Sequence, residues 1–258
     1  YIGNDFAKIT YFVLLFQQMQ EKIHIIGLMS GTSKDGLDIA YVCFANNDGA
    51  YSFKLHEAET ISYPIVWLNK LKVAVGFSKQ ELEELNESYT EFLGNVTKKF
   101  ITKYDIKNLD AVCSHGHTIL HQPQSGFTLQ IGNLPQLKTI IGEKVVCDFR
   151  VQDVQLGGQG APLVPIGDRI LFHEYDYCLN LGGFSNISFE NEGKRIAFDI
   201  SPVNTVLNFY SNILGLDYDD KGKIARSGQI NTELFNTLNE LDYYKKSFPK
   251  SLGYEFVK

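Results

Sequence analysis

The sequence is poor in cysteine: four in 258 residues, at Cys43, Cys113, Cys147 and Cys178. Their long, uneven spacing fits neither a zinc knuckle nor a small disulfide framework. Each lies in an apolar run, so they read as buried reduced thiols in strands, which implies a reducing cytoplasm. Basic charge is also scarce. With 24 Lys+Arg against 30 Asp+Glu, the net charge is −6 and no basic run occurs. That balance argues against nucleic acid or an anionic membrane as the main partner. It leaves phosphorylated ligands open, because backbone N–H groups hold phosphate without net positive charge. The apolar stretch Phe12–Phe16 is too short to span a bilayer and lacks a basic n-region and a small-residue cleavage site. Residues 1–22 therefore read as a leader, disordered or an extension of the reading frame.

What remains is ordinary for a soluble globular protein, with 44% hydrophobic and 21% charged residues. The length allows one or two domains. Lys22–Ser30 and Leu37–Phe44 read as strands of a hairpin around Gly31-Thr-Ser-Lys-Asp-Gly36, and Tyr51–Ile61 as a further strand. Ser78 with Glu81 forms a capping box, followed by Leu82, Leu85, Tyr89, Phe92, Val96 and Phe100 at helical spacing. Leu109–Ser114 and Phe127–Ile131 read as strands, and the glycine-rich stretch 150–165 as a functional loop near a domain junction. Then Asp176–Leu181, the turn Gly182-Gly183 and Asn186–Phe189 repeat the strand–glycine–strand theme. Arg195–Ile200 is another strand, and Ser201-Pro202 reads as the cap and first residue of a helix through Leu214.

Four constellations could carry chemistry. In the first glycine turn, Thr32 and Ser33 supply hydroxyls, and Asp35 or Asp38 could reach a metal held by phosphates; the alternative is a polar hairpin turn. His115, His117 and His121 could bind zinc in a hydrolase, or simply hydrogen-bond along a cleft. Arg150, with Asp148 and Asp153 beside it, could grip a carboxylate or phosphate, or pin a loop through an Arg–Asp pair. Asp199 precedes a proline-opened helix, whose positive terminus would keep its pKa low or normal. It could act as a base, or merely cap the helix.

Taken together, these segments resemble the anhydro-N-acetylmuramic acid kinase family, a branch of the sugar kinase/Hsp70/actin-type ATPases. The matching stretches include Gly27–Asp38, Ser114–Pro123, Thr128–Gly132, Asp148–Arg150 with Asp153, Gly157–Pro165, Asn180–Ile187, Phe198–Asn204 and Pro249–Glu255. The resemblance implies an α/β, ribonuclease H-like fold of two lobes, each on a mixed five-stranded sheet, closing over a cleft. Residues 23–145 would form the first lobe and 146–258 the second, which is expected to be truncated, since family members continue past Lys258. The implied reaction uses ATP, Mg²⁺ and water to open 1,6-anhydro-N-acetylmuramic acid and phosphorylate O6; the alternative is a non-catalytic sugar-binding remnant.

By the same resemblance, Gly31, Thr32, Ser33, Lys34, Asp35, Gly36 and Asp38 would bind phosphate with Gly182, Gly183 and Asn186. Asp199 would be the base. His115, Gly116, His117, Thr118, Arg150, Asp153, Gln159 and Asn204 would hold the sugar. No protein metal ligand is implied, Mg²⁺ riding on the phosphates. The expected partners are ATP and the anhydro-amino sugar, without nucleic acid or membrane, and a homodimer is left open. Two positions depart from the family pattern. Ser201 and Val203 replace glycines after the aspartate, so the backbone there must keep permitted φ values or approach to the ligand is altered, and His117 stands where glutamine is usual.

Overall fold

The computed structural model describes residues 22–30, 36–47, 49–122, 125–158, 160, 163–248, 250–252 and 254–257. The leader through residue 21, turn residues 31–35 and Gln159 lie outside the described residues. The chain divides into two compact units, Tyr1–Ala161 and Pro162–Lys258. Both are mixed α and β.

In the first unit, β1 (Lys22–Ser30), β2 (Gly36–Asn47) and β3 (Ala50–Ser62) form an antiparallel meander. β4 (Ala111–Gln122) joins β1 in parallel and carries β5 (Phe127–Ile131) antiparallel, so the sheet order is β3-β2-β1-β4-β5. Between β3 and β4 run α1 (Ile65–Val73) and the long α2 (Lys79–Lys103). Alternate residues of the central strands, Ile26 and Leu28 with Leu37 and Ile39, are buried in the core. They share it with Leu85, Tyr89, Leu93 and Phe100 of α2, so the stripe centres on Leu93, while Phe92 and Val96 sit at its edge. The expected capping box is present in full, Ser78 accepting from the Glu81 N–H and Glu81 from the Ser78 N–H.

The unit continues past the expected boundary at residue 145. β6 (Val145–Val146) pairs in parallel with β4, and α4 (Phe149–Gln155) follows α3 (Gln136–Ile141). Strand pairing holds this segment in the first unit, so the division falls at 161/162. Two further expectations are corrected here. The stretch after Arg150 is helical up to Gln155 rather than a loop. His115–His121 belongs to β4 itself, because the ladder to β5 extends the strand to Gln122.

The second unit opens with α5 (Val164–Leu171), followed by an antiparallel sheet of β7 (Tyr177–Leu181), β8 (Phe184–Asn191) and β9 (Lys194–Pro202). Three strands, rather than five, form this sheet among the described residues. The chain goes on as α6 (Asn204–Ile213), α7 (Lys223–Ser227), α8 (Thr232–Asn239) and α9 (Asp242–Lys245). Ser201 and Pro202 do not open α6: both remain in β9, paired with Ser185 and Phe184, and Val203 occupies the cap position without a side-chain bond. Cross-strand pairing prevails over the local cap-and-proline signal. The four thiols are free and half-buried; Cys43, Cys113 and Cys178 lie in strands, and Cys147 just beyond β6. No helix among the described residues is long and apolar enough to cross a membrane.

Trp67, the sole tryptophan, packs in the first unit 5.2 Å from Tyr89 and 5.3 Å from Phe92, so its fluorescence reports that unit's unfolding. Ser78→Ala should cost about 1 kcal/mol in urea unfolding followed at Trp67. A midpoint identical to the parent's would contradict the cap assignment.

Candidate active site

The histidines of β4 are sorted by a bulge. Leu28 pairs with Ser114 and Ser30 with His117, so β4 carries one extra residue at His115-Gly116. Gly116 has φ +69°, and a Cβ there would meet the Ile131 carbonyl oxygen at 2.7 Å and Asn133 Nδ2 at 2.8 Å. Only glycine fits that turn of the strand. Beyond it, His117 is buried with the core and its Nδ1 shares a hydrogen bond of 2.7 Å with Ser30 Oγ. Ser30 also bonds to the hydroxyls of Tyr63 and Tyr89, making a closed polar knot inside the first unit.

His115 turns instead to α4. Arg150 Nε–H donates to His115 Nε2 at 2.8 Å, which leaves the proton on Nδ1 to bond the Gly116 carbonyl at 2.8 Å. Burial, and then the Arg150 charge, pull the His115 pKa down, in keeping with a neutral ring. His121 bonds Thr128 at 3.1 Å, and burial followed by Arg150 likewise lowers its pKa. The three rings therefore take three different partners, and they do not gather as a metal cluster among the described residues. The zinc reading of His115, His117 and His121 fails for that reason.

Arg150 Nη1 donates to the Gly160 carbonyl at 2.6 Å, and burial lowers the guanidinium pKa. Among the described residues no carboxylate pairs with it, so the expected Arg–Asp pin is absent. Asp153 is buried and accepts the Gly160 N–H at 2.6 Å, which ties the glycine turn to α4. Thr118 accepts from Gln130 across the β4–β5 ladder. The result is a half-buried cation bonded to the His115 ring, with its charge also felt at His121, an arrangement able to receive an anion. Asn133 was not singled out from the sequence, yet it links Ser114, the His115 carbonyl and Asp148.

On the flank of the first turn, Gly36 opens β2 opposite Ser62, and the exposed Asp38 accepts the Thr60 hydroxyl at 2.6 Å. Gly31, Thr32, Ser33, Lys34 and Asp35, like Gln159, lie outside the described residues.

In the second unit, Asn180, Asn186 and Asp199 stand opposite one another across β7, β8 and β9, forming one polar row. The row lies two residues from Gly182, about 7 Å along the strand. The Gly182-Gly183 turn is fastened to the start of α6: Val203 and Thr205 N–H donate to the Gly183 carbonyl, Asn204 N–H to that of Gly182, and Asn204 Nδ2 to that of Leu181. A Cβ on Gly183 would lie 2.8 Å from Thr205 Oγ1, so that hydroxyl would have to move, whereas one on Gly182 would meet only ordinary contacts. Val203 takes φ −130°, and neither it nor Ser201 needs positive φ, as the loss of the two glycines requires.

Asp199 is half-buried. Its Oδ2 accepts the Leu252 N–H at 2.8 Å, while its own backbone bonds Lys250 and the Tyr243 hydroxyl. Burial raises its pKa, and the single N–H opposes that only in part. This corrects the expected low or normal pKa: Asp199 lies inside β9, not at a helix N-terminus, and does not cap α6. The segment around Leu252 falls in the Pro249–Glu255 motif, but nothing in that motif announced the contact. A separate cleft of about 610 Å³, lined by Arg169, His173, Tyr175 and Arg195 among others, contains none of the expected residues.

Residues 23–258 match a family model described as Anhydro-N-acetylmuramic acid kinase. Curated proteins bearing that name are similar to this chain. One from Shewanella sp. strain ANA-3 is 34% identical over 249 residues, covering 91% of this chain and 66% of the relative. One from Aliivibrio fischeri is 35% identical over 241 residues, covering 89% and 65%. One from Pseudoalteromonas translucida is 33% identical over 256 residues, covering 90% and 63%. The chain thus spans about two thirds of the length of the curated relatives it matches.

A carboxyl with a raised folded-state pKa binds its proton more tightly when folded, so it favours folding at low pH. That contribution is lost as pH rises through the folded pKa. Asp199→Asn, which keeps an oxygen for the Leu252 N–H, should therefore raise the melting temperature near neutral pH. The gap should close as pH falls to the ordinary aspartate range. A variant less stable than the parent at neutral pH would contradict the assignment.

Proposed function

We propose, for a chain that belongs to the anhydro-N-acetylmuramic acid kinase family, that it is part of an ATP-dependent enzyme of cell-wall sugar recycling. The substrate is 1,6-anhydro-N-acetylmuramic acid and the product its ring-opened 6-phosphate. The observation that carries this reading is Asp199, a half-buried carboxylate in a polar row just below a bare glycine turn. A carboxylate whose pKa is raised by burial is a better proton acceptor than an ordinary one.

Asp199 takes a proton from water as the water oxygen attacks the anomeric carbon. The bond from that carbon to O6 breaks, and O6 keeps the electron pair and attacks the γ-phosphorus. ADP leaves, and Asp199 returns its proton to solvent. Coupling the steps generates the nucleophile where the phosphoryl group is held, which spares the cost of bringing two reactants together. In the second unit the backbone of Gly182 and Gly183, with Asn186, holds phosphate, and the family resemblance gives residues 31–38 of the first unit the same kind of role. Arg150, supported by His115 and paired with no carboxylate among the described residues, receives the sugar's lactyl carboxylate. On the first unit the edge of β4 at Gly116 and Thr118 contacts the sugar, and the family resemblance gives Asn204 of the second unit a sugar contact as well. His117 and Asp153 support it from within, since both are buried and bonded to protein.

Mg²⁺ suits this site as an ion carried by the phosphates rather than caged by protein: Asp38 is exposed, with one carboxylate oxygen already accepting from Thr60. Bound there, it would neutralise charge on the transferred group. The units Tyr1–Ala161 and Pro162–Lys258 would be the two lobes of a sugar-kinase fold, working in the cytoplasm.

The test is ADP release with the anhydro sugar, together with mass analysis of the sugar phosphate. Asp199→Asn should lower kcat at least ~10²-fold and leave sugar affinity within a few fold, because it removes base catalysis rather than binding. Equal loss of both would refute the role. Arg150→Ala should raise KM for the sugar more than for ATP. An unchanged sugar KM would eliminate the carboxylate contact.

A further inference from the structure

We propose that His24, Cys43 and His56 form a binding site for a zinc-class divalent ion on the first unit. The β1–β2 ladder sets His24 directly opposite Cys43. The β2–β3 ladder then shifts register between Tyr41–Glu57 and Val42–Leu55, so His56 is the extra residue of a bulge. Three adjacent hydrogen-bonded strands thus each supply one ligand. The ligand atoms lie within 4.8 Å of one another, His24 and Cys43 half-buried and His56 exposed.

A tetrahedral zinc with Zn–N of about 2.0 Å and Zn–S of about 2.3 Å needs ligand atoms roughly 3.3–3.7 Å apart. Closing that gap takes about 1 Å of side-chain movement, which the exposed imidazole on the bulge can supply. The His24 ring is already oriented. Its Nδ1 bonds the Tyr41 hydroxyl at 2.9 Å, and an imidazole held through one nitrogen presents the other. Asp110 fixes the backbone at the same residue, accepting the His24 N–H at 2.8 Å and donating its own N–H to the His24 carbonyl at 2.8 Å. Cys43 is a free thiol.

Two imidazoles and one thiol make a borderline-soft set, which selects zinc over magnesium or calcium. On binding, the Cys43 thiol gives its proton to solvent as the metal–sulfur bond forms, and water completes the fourth position from the exposed side. The site is remote from the first glycine turn. Ser30 lies six positions along β1 from His24, about 20 Å away. The ion would staple the far end of the meander and would not be needed for turnover.

The test uses the purified chain with Zn²⁺ or Co²⁺ alone. One equivalent of zinc should be retained, and the Co²⁺ form should show a thiolate-to-cobalt charge-transfer band that zinc bleaches. His56→Ala, at an exposed position, should weaken zinc binding at least ~10-fold, and Cys43→Ser should abolish the band. If Cys43→Ser does not fold, His56→Ala decides alone. Absence of the band in the parent protein, or zinc affinity unchanged in His56→Ala, overturns the proposal.

Discussion

Taking one carboxylate partly out of water is the constraint around which the second unit is arranged. Asp199 loses solvent to its place in β9 and to the segment carrying Lys250 and Leu252, and gains a single N–H bond in return. Desolvation outweighs that bond, so the ionised form is held at a cost. Natural sequences keep such costs where chemistry needs them. Under the proposed function, the surrounding polar row and the fastened glycine turn would set a proton acceptor near a phosphate.

The first unit shows a complementary economy. The bulge at Gly116 lets two histidines a residue apart do different work, one sealed into the core with Ser30, Tyr63 and Tyr89, the other set against Arg150. A guanidinium held by a ring nitrogen and a carbonyl has no carboxylate paired with it among the described residues. An ion pair with Asp153 would have spent that charge internally. Asp153 instead anchors the glycine turn through the Gly160 N–H.

Local chemistry made much of this legible in the sequence. The capping box at Ser78, the bounds of Phe127–Ile131 and the two hairpins follow from short-range patterns that tertiary packing did not disturb. The motifs around Gly182, Arg150 and Asp199 pointed to one family, and the match over residues 23–258 bears that out. The misreadings arose where long-range pairing overrode local signals. Ser201-Pro202 looks like a helix start, but pairing with Ser185 and Phe184 keeps it in the strand, and this removes the helix terminus from Asp199. The histidine cluster looks convergent until the bulge changes its register. β6 recruits residues beyond 145 into the first unit by pairing with a strand more than thirty positions earlier, which no local window reveals.

The central claim is that burial makes Asp199 a stronger proton acceptor than an ordinary aspartate. Its most direct measurement is an NMR titration of ¹³C-labelled aspartate carboxyls, with the Asp199 signal assigned by its loss in Asp199→Asn. The signal should titrate above the ordinary aspartate range. A midpoint within or below that range would contradict the account.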